Sequence, residues 1–265
     1  MLKQRVLTAL AIGPTSLILL FVLGGGWFAT FVGLLVAASA WEWSNLSGGE
    51  SLKDRALFTV TLIALMALGW SSGAALQTWP LWIALAGWLL CLYWVISYPD
   101  NTDQWRSRGM RYAMGLWALL PCWVGLLLLR ESPIWLLYVL FLVWGADIAA
   151  YFAGRAYGNR KLAPRVSPGK SWAGVYGALG GTAVLALLMA LFQGMGIGQT
   201  LVLVIISAIV TGASVLGDLN ESMLKRYRGI KDSGNLLPGH GGVLDRIDSL
   251  TAAIPIFALL APWIG

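Results

Sequence analysis

The sequence predicts an all-α, polytopic integral membrane protein, and three observations carry that expectation. Hydrophobic residues make up 58% of the 265 and charged residues only 11%, against roughly 25% charge in an average soluble domain. Apolar runs of about the 20 residues that a helical span needs recur from end to end. The 15 Trp suit a lipid setting, where the indole ring favours the interface. So few charges cannot cover an ordinary water-facing surface, and the long apolar runs exclude a disordered or fibrous chain.

Taken in order, the runs give nine expected spans: Val6–Leu23, Trp27–Leu46, Leu57–Ala75, Trp79–Tyr98, Tyr112–Leu129, Ile134–Ala153, Trp172–Gln193, Thr200–Gly217 and Ile247–Ile264. Lys3 and Arg5 ahead of the first resemble the start of a signal peptide. The length of that run and the lack of an Ala-x-Ala site favour a retained anchor instead. Residues 1–130 then form an N-terminal region of about five spans. Residues 131–265 form a C-terminal region of the remaining spans with two long polar segments, 154–171 and 218–246. Cys91 and Cys122 sit in apolar runs without ligand spacing and read as small buried hydrophobes.

Orientation follows from the cations. With nine spans, every one of the 18 Lys and Arg except Arg130 falls on the same side as the N-terminus. The positive-inside rule places that side in the cytoplasm and the C-terminus outside. The net charge of +6 is spread over several segments rather than one soluble module, so no nucleic-acid partner is expected. Connections on the outer side are short, which puts any chemistry on polar substrates at the cytoplasmic face.

Half of the 12 acidic residues are Asp147, Asp218, Glu221, Asp232, Asp245 and Asp248. Asp147 lies within the sixth span, where a charge costs roughly 2.5–3.5 kcal/mol and normally faces a polar cavity. A carboxylate reaching the interface towards Arg155 is the plainer alternative. Glu42, near the end of the second span, reads at least as well as a structural pairing. Asp218 and Glu221 are three apart, as are Asp245 and Asp248, so on helices each pair shares a face. Magnesium takes one or two carboxylates and completes its shell with water and phosphate oxygens. Between the pairs lie Lys225, Arg226, Arg228 and Lys231, suited to phosphate. The turn Gly239, His240, Gly241, Gly242 allows backbone N–H groups close to an anion. His240 is the one His of the chain, so a histidine metal site is excluded.

The segment 154–171 ends in Gly169, Lys170 and Ser171, but Pro164 occupies the place of the first Walker glycine, so that motif fails. Ser167, Lys170 and Ser171 remain as phosphate-binding candidates just before a helix N-terminus. Gly177 and Gly181 form a GxxxG pair, expected to pack helices.

The stretch SMLKRYRGIKDSGNLLPGHGGVLDRID (Ser222–Asp248) resembles the signature of the phosphatidate cytidylyltransferases, also called CDP-diacylglycerol synthases, of bacterial type, without departure from the pattern S-x-x-K-R-x4-K-D-x-G-x2-[LIF]-P-x-H-G-G-x-x-D-R-x-D. The likeness extends through Val143–Asp147, Lys161–Ser171 and Ser214–Ser222. In the N-terminal half it is confined to hydropathy and Ala40–Trp43.

The resemblance implies transfer of a cytidylyl group from CTP to phosphatidate, giving CDP-diacylglycerol and pyrophosphate for phospholipid synthesis. It implies Mg²⁺, with K⁺ as a second cation in at least some members. Asp218, Asp245 and Asp248, with Glu221 nearby, are the implied metal ligands. Lys225, Arg226 and Lys231 are implied phosphate contacts, with Ser167, Lys170, Ser171, Gly241 and Gly242 binding substrate. Asp232, His240, Arg246 and Asp147 are carried over as further site residues. Also implied are the lipid bilayer as partner, a homodimer, and a multi-pass protein of the bacterial inner membrane working at its cytoplasmic face. Two other readings compete. One is a transporter of an anionic solute, with Asp147 and the cationic segments lining a path. The other is a CDP-alcohol phosphotransferase, whose D-G-x2-A-R pattern is absent because Ile148 follows Asp147.

Overall fold

The computed structural model describes residues 18, 20–237, 239 and 241–265. Eight α-helices dominate: α1 (Gly25–Leu46), α2 (Leu52–Ser71), α3 (Trp79–Ser97), α4 (Arg108–Arg130), α5 (Pro133–Tyr157), α6 (Trp172–Gln193), α7 (Ile197–Arg228) and α8 (Leu244–Leu260). Each falls on one of the expected spans; the first expected span lies largely outside the described residues. Five described helices, α3 to α7, are long and apolar enough to cross a membrane. The protein is therefore a polytopic helical membrane protein, and its outer faces carry apolar side chains such as Ile83, Leu89, Leu187 and Leu191.

Local chemistry sets the boundaries. Ser51, Ser107 and Ser171 each sit just before a helix and accept an N–H from its first turn, at 3.0, 3.2 and 3.2 Å. The carboxyl ends of α6 and α7 stop at Gly194 and Gly229, whose φ of +65° and +68° lie in the left-handed region that glycine adopts without strain.

Two expectations need correction. The segment 154–171 is not a plain loop: α5 runs on to Tyr157, and Lys161–Ala163 (β1) pairs antiparallel with Ser167–Ser171 (β2). Among the described residues, the helices are thus accompanied by one small hairpin. The segment 218–246 is mostly helical at its two ends, because α7 continues through Arg228 and α8 begins at Leu244. Charged side chains end a hydropathy signal without ending a helix. At 1.5 Å per residue, the 32 residues of α7 reach about 48 Å, well beyond a hydrocarbon core of about 30 Å.

Packing centres on α8. It lies against α7 and α4 most extensively and also touches α1, α3 and α5. From Thr251 to Leu259 every residue of α8 is buried. The most extensive helix–helix contact among the described residues is that of α5 with α6, and the GxxxG glycines explain it. A Cβ on Gly177 would run into the Ala153 side chain, and one on Gly181 would stand 2.8 Å from Ala149 Cβ. Gly177→Leu is expected to force α5 and α6 apart, costing about 1–3 kcal/mol as an overpacked contact. Thermal unfolding in detergent checks this; an unchanged midpoint would show that the glycine is not needed for packing.

Candidate active site

On α7 the residues Asp218, Glu221, Ser222 and Lys225 recur at helical spacing and present one polar face. The first turns of α8 bring Asp245 and Asp248 against it. Gly217 makes this approach possible, since a Cβ there would strike the carbonyl of Asp248. Lys225 then bridges the two helices, with Nζ 3.0 Å from Glu221 Oε2 and 2.8 Å from Asp245 Oδ1. Glu221 is 1% exposed. Its Oε1 has no hydrogen-bond donor among the described residues, and the Asp248 carboxyl lies beside it. Two neighbouring carboxylates, one with a buried oxygen that no donor reaches, are an environment that favours a cation.

Asp245 is the most heavily coordinated acid. Besides Lys225, its carboxylate accepts the Ser233 N–H at 3.1 Å, the Ser233 hydroxyl at 3.0 Å and the Gly242 N–H at 2.8 Å. Burial pushes its pKa up, but the bonds from Lys225, Gly242 and Ser233 outweigh that and hold it below the usual carboxylate value. The stability this contributes is present above the unfolded carboxylate value and is lost as pH falls through the lowered folded one.

The β1–β2 hairpin closes over the same face. Lys170 forms an ion pair with Asp218, which also accepts the Ser222 hydroxyl at 3.1 Å. Arg226 donates from Nε to the Val166 carbonyl at 3.1 Å, tying the hairpin turn to α7. Ser167 pairs with Ala163 in the ladder, and Ser171 is the α6 cap.

Two cavities meet here. One, of about 360 Å³, is lined by Asp147, Asp218, Asp245, Arg246 and Asp248 together with Trp144 and Ser249. The other, of about 350 Å³, lies among α5, α6, α7 and the hairpin and includes Asp147, Arg155, Lys170 and Asp218. Asp147 and Asp218 belong to both. The membrane-depth carboxylate thus faces a polar cavity, as its cost in lipid demands.

The structure therefore gathers Asp147, Lys170, Asp218, Glu221, Lys225, Asp245, Arg246 and Asp248. Lys231 and Asp232 are exposed on the loop between α7 and α8. Gly241 has φ of +84°, and a Cβ on it would come 3.0 Å from Asp245 Oδ2. The anion that the glycine turn cradles is Asp245 itself, through the Gly242 N–H. His240 lies outside the described residues. Among the described residues no three carboxylates stand at ligand distance of a common point; Lys170 and Lys225 hold them instead. The oxygen-only donor set nevertheless suits Mg²⁺, which completes its shell with water and substrate oxygens. Sequence reasoning missed Ser233, the donor to Asp245, and Asn45, whose Nδ2 donates to the Ser233 carbonyl at 3.0 Å. Neither carries a local signal, because Asn45 arrives from the far end of the chain.

Fold and site together define a helical membrane protein with carboxylates and cations gathered around two adjoining cavities. The chain belongs to the cytidylyltransferase family, whose model matches residues 3–263. It is 49% identical to the phosphatidate cytidylyltransferase of Pseudomonas aeruginosa over 267 residues, covering 98% of this chain and 97% of that protein. It is 40% identical to the phosphatidate cytidylyltransferase of Haemophilus influenzae, covering 97% and 98%. Similarity to that of Staphylococcus epidermidis is 30% identity, covering 98% of both.

Proposed function

We propose that this protein transfers a cytidylyl group from CTP to phosphatidate, forming CDP-diacylglycerol and releasing pyrophosphate. The observation that carries the reading is the pair of cavities sharing Asp147 and Asp218. One is lined by carboxylates and Arg246; the other lies among membrane-crossing helices. A water-soluble triphosphate and a lipid phosphate can meet at that shared wall, the lipid entering sideways from the inner leaflet.

In the reaction a phosphate oxygen of phosphatidate attacks the α-phosphorus of CTP. The new P–O bond forms as the bond between the α-phosphorus and the bridging oxygen breaks, and pyrophosphate leaves with that electron pair. A phosphate monoester has a second pKa near 6, so it is largely dianionic at neutrality and needs no strong general base. The difficulty is bringing several anions together, and positioning with positive charge answers it. Asp218, Asp245 and Asp248, with Glu221, would hold Mg²⁺, which supplies charge neutralisation on the phosphate oxygens and the departing pyrophosphate. K⁺ as a second cation belongs to the same proposal. Lys170, paired with Asp218 on the cavity wall, would contact a substrate phosphate there. Arg246 faces the same cavity, and Arg226 and Lys231 add positive charge around the hairpin and loop. Nine spans, a cytoplasmic N-terminus, an external C-terminus, an inner-membrane location with the site facing the cytoplasm, and a homodimer complete the proposal.

Purified protein given labelled CTP and phosphatidate is expected to release pyrophosphate only when lipid and divalent metal are both present. Solute counterflow in sealed vesicles without nucleotide would favour the transporter reading instead. Ser171→Ala is expected to cost about 1 kcal/mol of stability through the lost helix cap, with KM for CTP unchanged. A raised KM would assign the hydroxyl to phosphate binding.

A further inference from the structure

Among the described residues, Glu42 is the buried acid that the reaction leaves unused, at 1% exposure near the end of α1. A carboxylate so enclosed needs a reason, because removing its charge from water is costly. Its Oε2 accepts the Leu244 N–H at 2.8 Å, one of the donors that the start of α8 leaves without an intrahelical partner. The same oxygen lies 3.4 Å from the Ser233 hydroxyl, which in turn lies 3.0 Å from Asp245 Oδ2. Asn45, one turn further along α1, fixes the Ser233 carbonyl at 3.0 Å.

The loop is shaped around this side chain. A Cβ on Gly234 or on Gly242 would collide with the Glu42 carboxylate. Both positions thus need glycine because Glu42 fills the space. Gly242 is also the residue whose N–H reaches Asp245. Among the described residues, the backbone and hydroxyl donors to Asp245 are Ser233 and Gly242, and Glu42 lies against both. The connection spans 202 positions of sequence between Glu42 and Leu244.

We infer that Glu42 is a positioning residue: it clamps the loop between α7 and α8 and the first turn of α8, and so sets the orientation of the Asp245 carboxylate towards metal. This rests on the cytidylyl-transfer reading above and adds the N-terminal region to the machinery of the site.

Two variants of the full-length protein test it, Glu42→Leu, which removes the acceptor, and Glu42→Gln, which keeps one acceptor oxygen in the same volume. In a Mg²⁺ titration of CTP-dependent transfer, Glu42→Leu is expected to raise half-saturating Mg²⁺ by about tenfold, the scale usual when a ligand loses its supporting partner. KM for phosphatidate should stay unchanged, and Glu42→Gln should restore most of the metal affinity. Amide hydrogen exchange on metal-free protein supplies a readout apart from turnover. There Glu42→Leu should speed exchange at Ser233, Gly242 and Leu244, and Glu42→Gln should not.

A Glu42→Leu enzyme with lower kcat but unchanged Mg²⁺ dependence would overturn the inference, as would a Glu42→Gln enzyme as impaired as Glu42→Leu. If Glu42→Leu fails to fold, Ser233→Ala breaks the same chain at its middle link. It should shift Mg²⁺ dependence in the same direction, and no shift would overturn the inference. A wild-type protein that transfers nothing from CTP would overturn the functional reading alone, since the exchange arm still reports whether Glu42 holds the loop.

Discussion

Asp245→Asn is expected to lower lipid-dependent turnover on the order of 10³-fold, the upper range for loss of one preorganised electrostatic group. Asparagine keeps the shape of the side chain but replaces one acceptor oxygen with a donor. Four donors converge on the native carboxylate, from Lys225 Nζ, Ser233 N, Ser233 Oγ and Gly242 N. An amide NH₂ group must face at least one of them, leaving buried donors unpaired at about 1–3 kcal/mol each. The variant should therefore lose thermal stability as well as activity. Raising Mg²⁺ should not recover it, because the proposed ligand is gone. Full turnover with labelled CTP and phosphatidate would sink the assignment of Asp245 to metal.

Lys225→Ala is the second large effect, and its cause differs. Lys225 is 14% exposed by side chain and stands between Glu221 at 1% and Asp245 at 7%. Removing the shared cation leaves two enclosed carboxylates facing each other, a change that typically costs about 3–5 kcal/mol. The unfolding midpoint should drop sharply and turnover with it. Adding Glu221→Gln to the same chain removes one of the stranded charges, so the double variant should regain stability without regaining turnover. The regained stability would identify the lysine's structural work, while the missing turnover is expected from the loss of Glu221 as well as of Lys225. A single variant with wild-type stability and kinetics would reduce the residue to a headgroup anchor.

Much of the scaffold was legible because apolar runs are a direct record of lipid contact. The run from Trp172 to Gln193 matches α6 residue for residue. Hydropathy fails where a helix leaves the membrane: α7 was expected to end at Gly217, yet its polar extension carries Asp218, Glu221 and Lys225. The hairpin was hidden for a related reason, since Pro164, Pro168 and Gly169 read as loop although the segment pairs across Lys161–Ser171 and Ala163–Ser167. Within the site, the i, i+3 carboxylates were visible as spacing, while the partners of each acid were not. Lys170 meets Asp218 across 48 residues and Glu42 meets Leu244 across 202. Contacts of that range leave no local pattern. They depend on how the helices stack.

The contact at Gly217 has a consequence for what the protein can vary. The two carboxylate pairs ride on helices that meet main chain to main chain, with the glycine of α7 against the Asp248 carbonyl of α8. The width of the gap between them is therefore a dimension of the backbone, and no change of rotamer widens it. Substitutions around the rim leave that gap unchanged. A single methyl group at position 217 would change the gap itself.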